Sequence, residues 1–269
     1  MVLPIGDVNP VQRRPVLLWL LVLANLGVFL LVQFPATGCE ELHLIYRFGA
    51  IPLELTTGAP LPPGDLEQLL GECSVDVPAK NVPLSLFTSL FLHGSLGHLL
   101  GNLLYLVVFG NNVEDRLGHA RFLLFTTVGA AAATLSYVAV RPDSTVPLIG
   151  FSGAVSAVLG AYLILYPRAQ VLALAPFPLY LAAIILPGVR IVRWLVFFAV
   201  VVLPAWLLLG AWFVLQFATP DTPAGDQIAY QAHIGGFLAG IVLLLVLDAW
   251  RRSHHREPFH TPRRRRRRR

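Results

Sequence analysis

Long runs of apolar residues alternate with shorter polar segments along this chain. A helix needs about 20 mostly apolar residues to cross the hydrocarbon core of a bilayer. Six stretches meet this requirement: 16–34, 84–112, 121–140, 146–166, 194–217 and 228–249. The pattern predicts an all-α, polytopic membrane protein with six transmembrane helices over 16–249, between an N-terminal segment 1–15 and a tail 250–269.

Two other segments are apolar without being clear spans. Residues 171–189 are interrupted by Pro176, Pro178 and Pro187, and proline breaks helices. We interpret them as an interfacial or re-entrant connection, because a seventh span would place the two termini on opposite sides. The loop 35–83 combines Gly and Pro with apolar residues, and we expect a folded or membrane-dipping element there.

The composition is typical of a chain embedded in lipid. Hydrophobic residues make up 56% of the chain and charged residues 13%, against about 25% charged in soluble domains. These values argue against a soluble enzyme, a disordered protein and a nucleic-acid-binding domain. The net charge of +5 comes from residues 251–269, which hold ten Arg and one Glu, whereas residues 1–250 hold ten basic and fourteen acidic side chains. We expect this tail to contact anionic lipid head groups of the bilayer rather than nucleic acid.

Basic residues in the connections between spans predict the orientation in the membrane. They gather in alternate connections: Arg13 and Arg14, Arg116 and Arg121, Arg168, Arg190 and Arg193, and the tail. The connections between these are acidic or nearly neutral, including the loop 35–83. We therefore expect both termini in the cytoplasm and this loop outside, in a bacterial plasma membrane.

Both cysteines of the chain, Cys39 and Cys73, lie in that loop. An oxidising external compartment permits disulfides, but spacing in the sequence does not reveal geometry. The sequence is compatible with a disulfide and with two free thiols.

Three of the predicted spans carry clusters of polar and small residues. Polar groups are costly in a membrane, and these are therefore candidates for function. His98 and Asn102 lie four residues apart, on one helix face. Ser152 follows Asp143 by nine residues and His233 follows Asp226 by seven. If these intervals are helical, Ser152 and His233 both lie roughly 10 to 14 Å below the outer polar boundary.

Small residues follow Ser152 and His233 at four-residue spacing. Gly153 with Ala157, and Gly236 with Gly240, form the kind of row that lets membrane helices pack closely. The spacing predicts that the fourth and sixth spans pack against each other. This packing would bring the serine and the histidine together.

The polar residues have the chemistry of a serine hydrolase. A neutral imidazole can take the proton of a serine hydroxyl, and the N–H groups of Asn, His or the backbone can stabilise an oxyanion. Each residue also has a purely structural alternative, because Ser bonds back to its own helix and His or Asn joins neighbouring helices.

These residues resemble the motifs of the rhomboid family of intramembrane serine proteases, over about 84–249. The matching patterns are HxxxxHxxxN from His93 to Asn102, GxSG from Gly150 to Gly153, AHxxG from Ala232 to Gly236, and the stretch Glu114–Gly118. The resemblance implies a rhomboid-like bundle in which Ser152 is the nucleophile and His233 the general base. It assigns the oxyanion hole to His98, Asn102 and the Ser152 N–H, gives His93 a supporting role, and requires neither metal nor organic cofactor.

One position departs from the family pattern. Four residues after the nucleophile the family usually has an aromatic residue that packs against the catalytic histidine, and this chain has Ser156. Either another side chain fills the gap, or Ser156 forms a hydrogen bond of its own.

The resemblance implies an endopeptidase that cuts single-span membrane proteins in or near their transmembrane segments. One alternative is a catalytically inactive rhomboid-like protein that binds membrane clients. Another is a small transporter, which would place polar groups along a path through both leaflets. A zinc intramembrane protease is disfavoured because the sequence contains no HExxH.

Overall fold

The computed structural model describes residues 2–74, 79–176, 188–194, 197–218 and 229–254. Its elements are, in chain order, β1 Leu3–Asp7, α1 Val16–Val28 with a π-helical extension Phe29–Gln33, α2 Cys39–Phe48, α3 Pro52–Thr57, α4 Pro63–Leu70, a 3₁₀ turn Gly71–Ser74, α5 Val82–Thr88, a 3₁₀ turn Ser89–Phe91, α6 Leu96–Leu117, α7 His119–Val140, α8 Ser152–Leu165, β2 Gln170–Pro176, β3 Arg190–Trp194, β4 Phe198–Pro204, α9 Ala205–Ala218 and α10 Tyr230–His254. Residues 177–187, the connection 219–228 and most of the Arg-rich tail lie outside the described residues.

Most of the described chain is helical, with fewer full-length spans than predicted. Among the described residues, four segments are long and apolar enough to cross a membrane: Val16–Gln33, Leu96–Leu117, His119–Val140 and Tyr230–Ala249. The helices α8 and α9 are apolar but have only 14 residues each. The count of six spans is therefore not confirmed.

In the predicted spans 84–112 and 146–166, the long helix starts later than predicted. The stretch 84–112 is not one helix, because the segment 92–95 is non-helical and separates α5 and its 3₁₀ turn from α6. The stretch 146–166 is helical only from Ser152, and the residues before it form a loop that pairs with Ala50 through Leu148. The helical interval assumed between Asp143 and Ser152 was therefore wrong.

A four-stranded antiparallel sheet corrects the all-α prediction. Its strand order is β1-β2-β4-β3, so the N-terminal strand lies beside the strand that follows α8. The run 198–204, predicted as the start of a helical span, is strand β4. Its sequence Phe-Ala-Val-Val-Val-Leu-Pro is rich in β-branched residues, and an apolar run alone does not distinguish a strand from a buried helix.

One face of the sheet joins the core of the helical bundle. Alternate residues of β2 and β4 are buried there, as the two-residue period of a strand requires. They are Val171, Ala173, Ala175, Ala199, Val201 and Leu203. The sheet thus packs against the end of the bundle at which α6 ends and α7 begins, which we call the sheet end.

The described residues of the loop 35–83, which are 35–74 and 79–83, form a folded element. A disulfide joins Cys39 to Cys73, and the ammonium group of Lys80 forms a buried ion pair with Glu54. Burial lowers the pKa of Lys80, while the carboxylate of Glu54 acts in the opposite direction. Lys80 also donates to the Gly49 carbonyl at 2.8 Å, so these contacts hold α2 and α3 in fixed positions.

Candidate active site

Ser152 is the first residue of α8 and is partly exposed. Gly150, two residues earlier, has φ +116°, a conformation that favours glycine, and its N–H donates to the Ser89 carbonyl at 2.9 Å. The first N–H groups of a helix have no partner within the helix and lie at its positive end. The Ser152 N–H is therefore suited to bind a developing negative charge.

His98 and Asn102, on one face of α6, approach the turn before Ser152. A methyl group on Gly150 would lie 2.7 Å from His98 Cε1 and 3.6 Å from Asn102 Nδ2. Asn102 is 8% exposed, and its Nδ2 has no hydrogen-bond partner among the described residues. The Asn102 amide donor and the His98 ring thus converge on the segment that leads into Ser152.

The backbone N–H and carbonyl of His93 are both hydrogen-bonded to one side chain. Gln33, at the end of the π-helical extension of α1, accepts from the His93 N–H at 2.8 Å and donates to the His93 carbonyl at 3.1 Å. The His93 ring meets the His98 ring edge to face, with centroids 5.2 Å apart. Sequence reasoning missed Gln33, although it is a polar residue at the end of an apolar span.

α8 lies between α7 and α10, and small residues of α8 pack against each of these two helices. A methyl group on Gly236 would lie 2.6 Å from the Gly153 carbonyl oxygen, and one on Gly240 would overlap the Ala157 carbonyl. On the other side of α8, Ala157 meets Gly129 of α7. The serine helix and the histidine helix are therefore in backbone contact.

His233, near the start of α10, is partly buried and has partners on α9. Its Nδ1 lies 2.9 Å from Oε1 of Gln216, and its ring centroid lies 6.0 Å from that of Trp212. Gln216 and Trp212 were missed by sequence reasoning. Gln216 is the only residue of α9 with an amide or charged side chain, so the cost of polar groups in apolar helices could have identified it.

Ser152 and His233 form no direct hydrogen bond within the described part of the chain. Catalytic hydrogen bonds are often long before substrate binds, so this separation is compatible with proton transfer in a complex. Ser156 donates to the Ser152 carbonyl at 2.7 Å and does not contact the His233 ring as an aromatic residue would. No group of three His, Cys, Asp or Glu side chains that could hold a metal ion occurs among the described residues.

Residues 80–249 match the family model described as the Rhomboid domain. The chain belongs to the rhomboid family. Among its rhomboid relatives, Rhomboid protease GlpG of Salmonella choleraesuis (strain SC-B67) is 30% identical over 171 residues, which cover 62% of this chain and 50% of the relative. RHOMBOID-like protein 12, mitochondrial, of Arabidopsis thaliana is 30% identical over 127 residues, which cover 40% of this chain and 38% of the relative.

The chain spans half or less of the length of these curated relatives. The rhomboid match includes α6, α7, α8 and the part of α10 that contains His233. Together with the four long apolar helices, it identifies an integral membrane protein.

Proposed function

We propose that this rhomboid-family protein is an intramembrane serine endopeptidase that cleaves peptide bonds in or near the transmembrane segments of other membrane proteins. The observation that carries the proposal is the convergence of His98 and Asn102 on the turn before Ser152. The Asn102 Nδ2 is buried and has no hydrogen-bond partner among the residues that the structure describes. An unmet donor in an apolar interior is costly, and an oxyanion formed at Ser152 would satisfy it.

In the proposed reaction, Ser152 Oγ attacks the carbonyl carbon of the scissile peptide while His233 takes the hydroxyl proton. The Ser152 N–H, His98 and Asn102 stabilise the resulting oxyanion. When the tetrahedral intermediate collapses, the C–N bond breaks and His233 gives the proton to the leaving amine. Water, deprotonated by His233, then attacks the acyl-enzyme, releases the new carboxyl end and restores the Ser152 hydroxyl.

The proposal also covers the substrates and the orientation of the protein in the membrane. Substrates are single-span membrane proteins cut after a small residue, in a segment that unwinds easily. Both termini face the cytoplasm of a bacterial cell, because the basic connections include Arg13, Arg116 and Arg168. The Arg-rich tail then lies next to the anionic inner leaflet.

The test is cleavage of a model single-span substrate by the purified protein in detergent. Ser152→Ala should lower kcat by about 10⁴-fold or more, and His233→Ala should have a comparable effect. Ser136→Ala is the matched control, because among the described residues the Ser136 hydroxyl donates to the Ala132 carbonyl of its own helix, and this variant should retain full activity.

Equal cleavage by wild type and Ser152→Ala would refute the mechanism. The inactive alternative predicts no cleavage by the wild type together with retained binding of the substrate. Binding is measured by co-purification of the substrate, so the two functions give different results.

A further inference from the structure

Gln216 reaches the catalytic histidine from α9. Its side chain is 7% exposed, and its Nε2 donates to the Trp212 carbonyl at 2.9 Å, one helical turn earlier. Because the NH₂ group is used in this way, the atom that faces His233 Nδ1 at 2.9 Å is the amide oxygen. An amide oxygen can only accept a hydrogen bond, so Nδ1 must carry the proton.

This contact determines which nitrogen of His233 is free. With the proton on Nδ1, the lone pair of the neutral ring is on Nε2, and that nitrogen can act as a base. The residue that fixes the tautomer in a Ser-His-Asp triad is a buried aspartate. Here a neutral amide on a membrane helix occupies the corresponding position.

The aromatic support of His233 also comes from α9. Trp212 lies one turn from Gln216 and faces the His233 ring at a tilt of 31°. Ser156, where the rhomboid resemblance predicts an aromatic residue, is 1% exposed, and its Cβ would lie 3.2 Å from a methyl group on Gly236. The space beside Ser156 is thus filled by α10, and a large side chain there would separate α8 from α10.

We propose that Gln216 is a positioning residue, which with Trp212 holds the His233 ring in orientation and in the Nδ1–H tautomer. The inference rests on the proposed serine protease function, since it assigns His233 as the base. In this protein, residues of α9 thus hold the base in place, instead of an aromatic residue on α8, the helix that carries the nucleophile.

The first test measures the tautomer directly and does not depend on activity. Protein labelled with ¹⁵N-histidine is examined by NMR, and the His233 signals are assigned by their loss in His233→Asn. Wild type and Ser152→Ala should both show the Nδ1–H tautomer, whereas Gln216→Leu should show a mixture or the Nε2–H form. An unchanged tautomer in folded Gln216→Leu would overturn the proposal.

The second test uses kinetics. Gln216→Leu should lower kcat by roughly 10- to 100-fold with KM unchanged, less than the ~10⁴-fold effect of neutralising the triad aspartate.

Gln216→Glu should restore most of kcat, because a carboxylate also accepts from Nδ1. It should also shift the acidic limb of the kcat/KM profile to higher pH, because a carboxylate favours the imidazolium. Among the described residues, the other titratable groups that face His233 are His98 on α6 and Tyr230 on α10, and both stay constant in this series.

Val214→Ala, on the exposed surface of α9, is the matched control and should leave both the tautomer and kcat at wild-type values. If Gln216→Glu leaves the acidic limb in place, the contact does not reach the base and the proposal fails. If the tautomer changes as expected but no variant or wild type cleaves substrate, the positioning contact stands and the protease proposal fails.

Discussion

Two buried asparagines on α6 have opposite surroundings. Asn102, near the start of the helix, is 8% exposed, and its Nδ2 has no partner in the described part of the chain. Asn112, near the end of the helix, is 2% exposed, and its Nδ2 donates to Asp7 at 2.9 Å and to Asn111 at 2.8 Å. The residue type, the helix and the depth of burial are alike. The difference is that the Asn112 amide is paired with neighbouring polar side chains, while the Asn102 amide beside Ser152 leaves a donor unused among the described residues.

Glu114, also at the sheet end, extends this comparison. It is 1% exposed, and its two oxygens accept from the N–H groups of Leu17 and Leu18 and contact His119 Nδ1. The carboxylate therefore caps the start of α1. Satisfied buried groups of this kind stabilise a fold, whereas an unsatisfied donor costs about 1 to 3 kcal/mol. Such a cost is expected at sites kept for function.

The sharpest test of the comparison is the same substitution at both asparagines. Asn102→Ala should lower kcat by about 10²- to 10³-fold, as the loss of one oxyanion donor does, with no loss of thermal stability in detergent. Asn112→Ala should leave kcat per folded molecule unchanged and lower the free energy of unfolding by about 1 to 2 kcal/mol, because Asp7 loses a donor. The comparison would be contradicted if Asn112→Ala lowered kcat and Asn102→Ala lowered the free energy of unfolding.

A second prediction concerns Glu114. Glu114→Ala leaves the Leu17 and Leu18 N–H groups without their acceptor and should lower the free energy of unfolding by about 2 to 4 kcal/mol. Asp115→Ala is the control, because Asp115 caps Gln12 and Arg13 at the exposed surface, and it should cost less than about 1 kcal/mol. Specific activity of the folded fraction should be unaffected in both variants. A selective loss of turnover in Glu114→Ala would show that the sheet end takes part in catalysis.

The smallest expected effect is a dependence of stability on pH at the sheet end. Burial raises the pKa of Asp7, while hydrogen bonds from Tyr162 and Asn112 act in the opposite direction. Because the pKa in the folded state exceeds that in the unfolded state, the contribution of Asp7 is complete below the unfolded pKa and is lost as pH rises through the folded pKa.

The melting temperature of the wild type should therefore fall slightly as the pH rises from the unfolded-state pKa of Asp7 to its folded-state pKa. Asp7→Asn should remove the part of the fall that is due to Asp7. Thermal unfolding in detergent from about pH 4 to about pH 8 measures it. Asp65→Asn, on the exposed surface of α4, serves as the control for a change in net charge. A wild-type curve that rises over this interval in step with the titration of Asp7 would contradict the sign.

The candidate site was more predictable from the sequence than the fold around it. His98 with Asn102, Ser152 with Gly153, and the glycine row after His233 are local patterns whose spacing translates directly into helix faces. The family match confirms the rhomboid assignment that these patterns suggested. The roles assigned to the individual residues stay predictions.

The sheet and the contacts of α9 were not predictable in the same way. The run Phe198–Pro204 is as apolar as a membrane helix, and its pairing with β3 and with β2, which lies nearly thirty residues earlier, makes it a strand. The contact between Gln216 and His233 likewise joins two helices across a connection that carries no motif. Long-range pairing decides both features, and hydrophobic periodicity contains no information about it.

The central claim is that Ser152 is a nucleophile activated by His233, and active-site labelling tests it most directly. A fluorophosphonate probe, in which the serine oxygen displaces fluoride from phosphorus, is incubated with the folded protein in detergent, and the adduct is located by mass spectrometry. The account predicts an adduct on Ser152 that is absent in Ser152→Ala and forms about 100-fold or more slowly in His233→Ala. A protein that cleaves substrate without an adduct on Ser152, or a His233→Ala variant labelled at the wild-type rate, would contradict it.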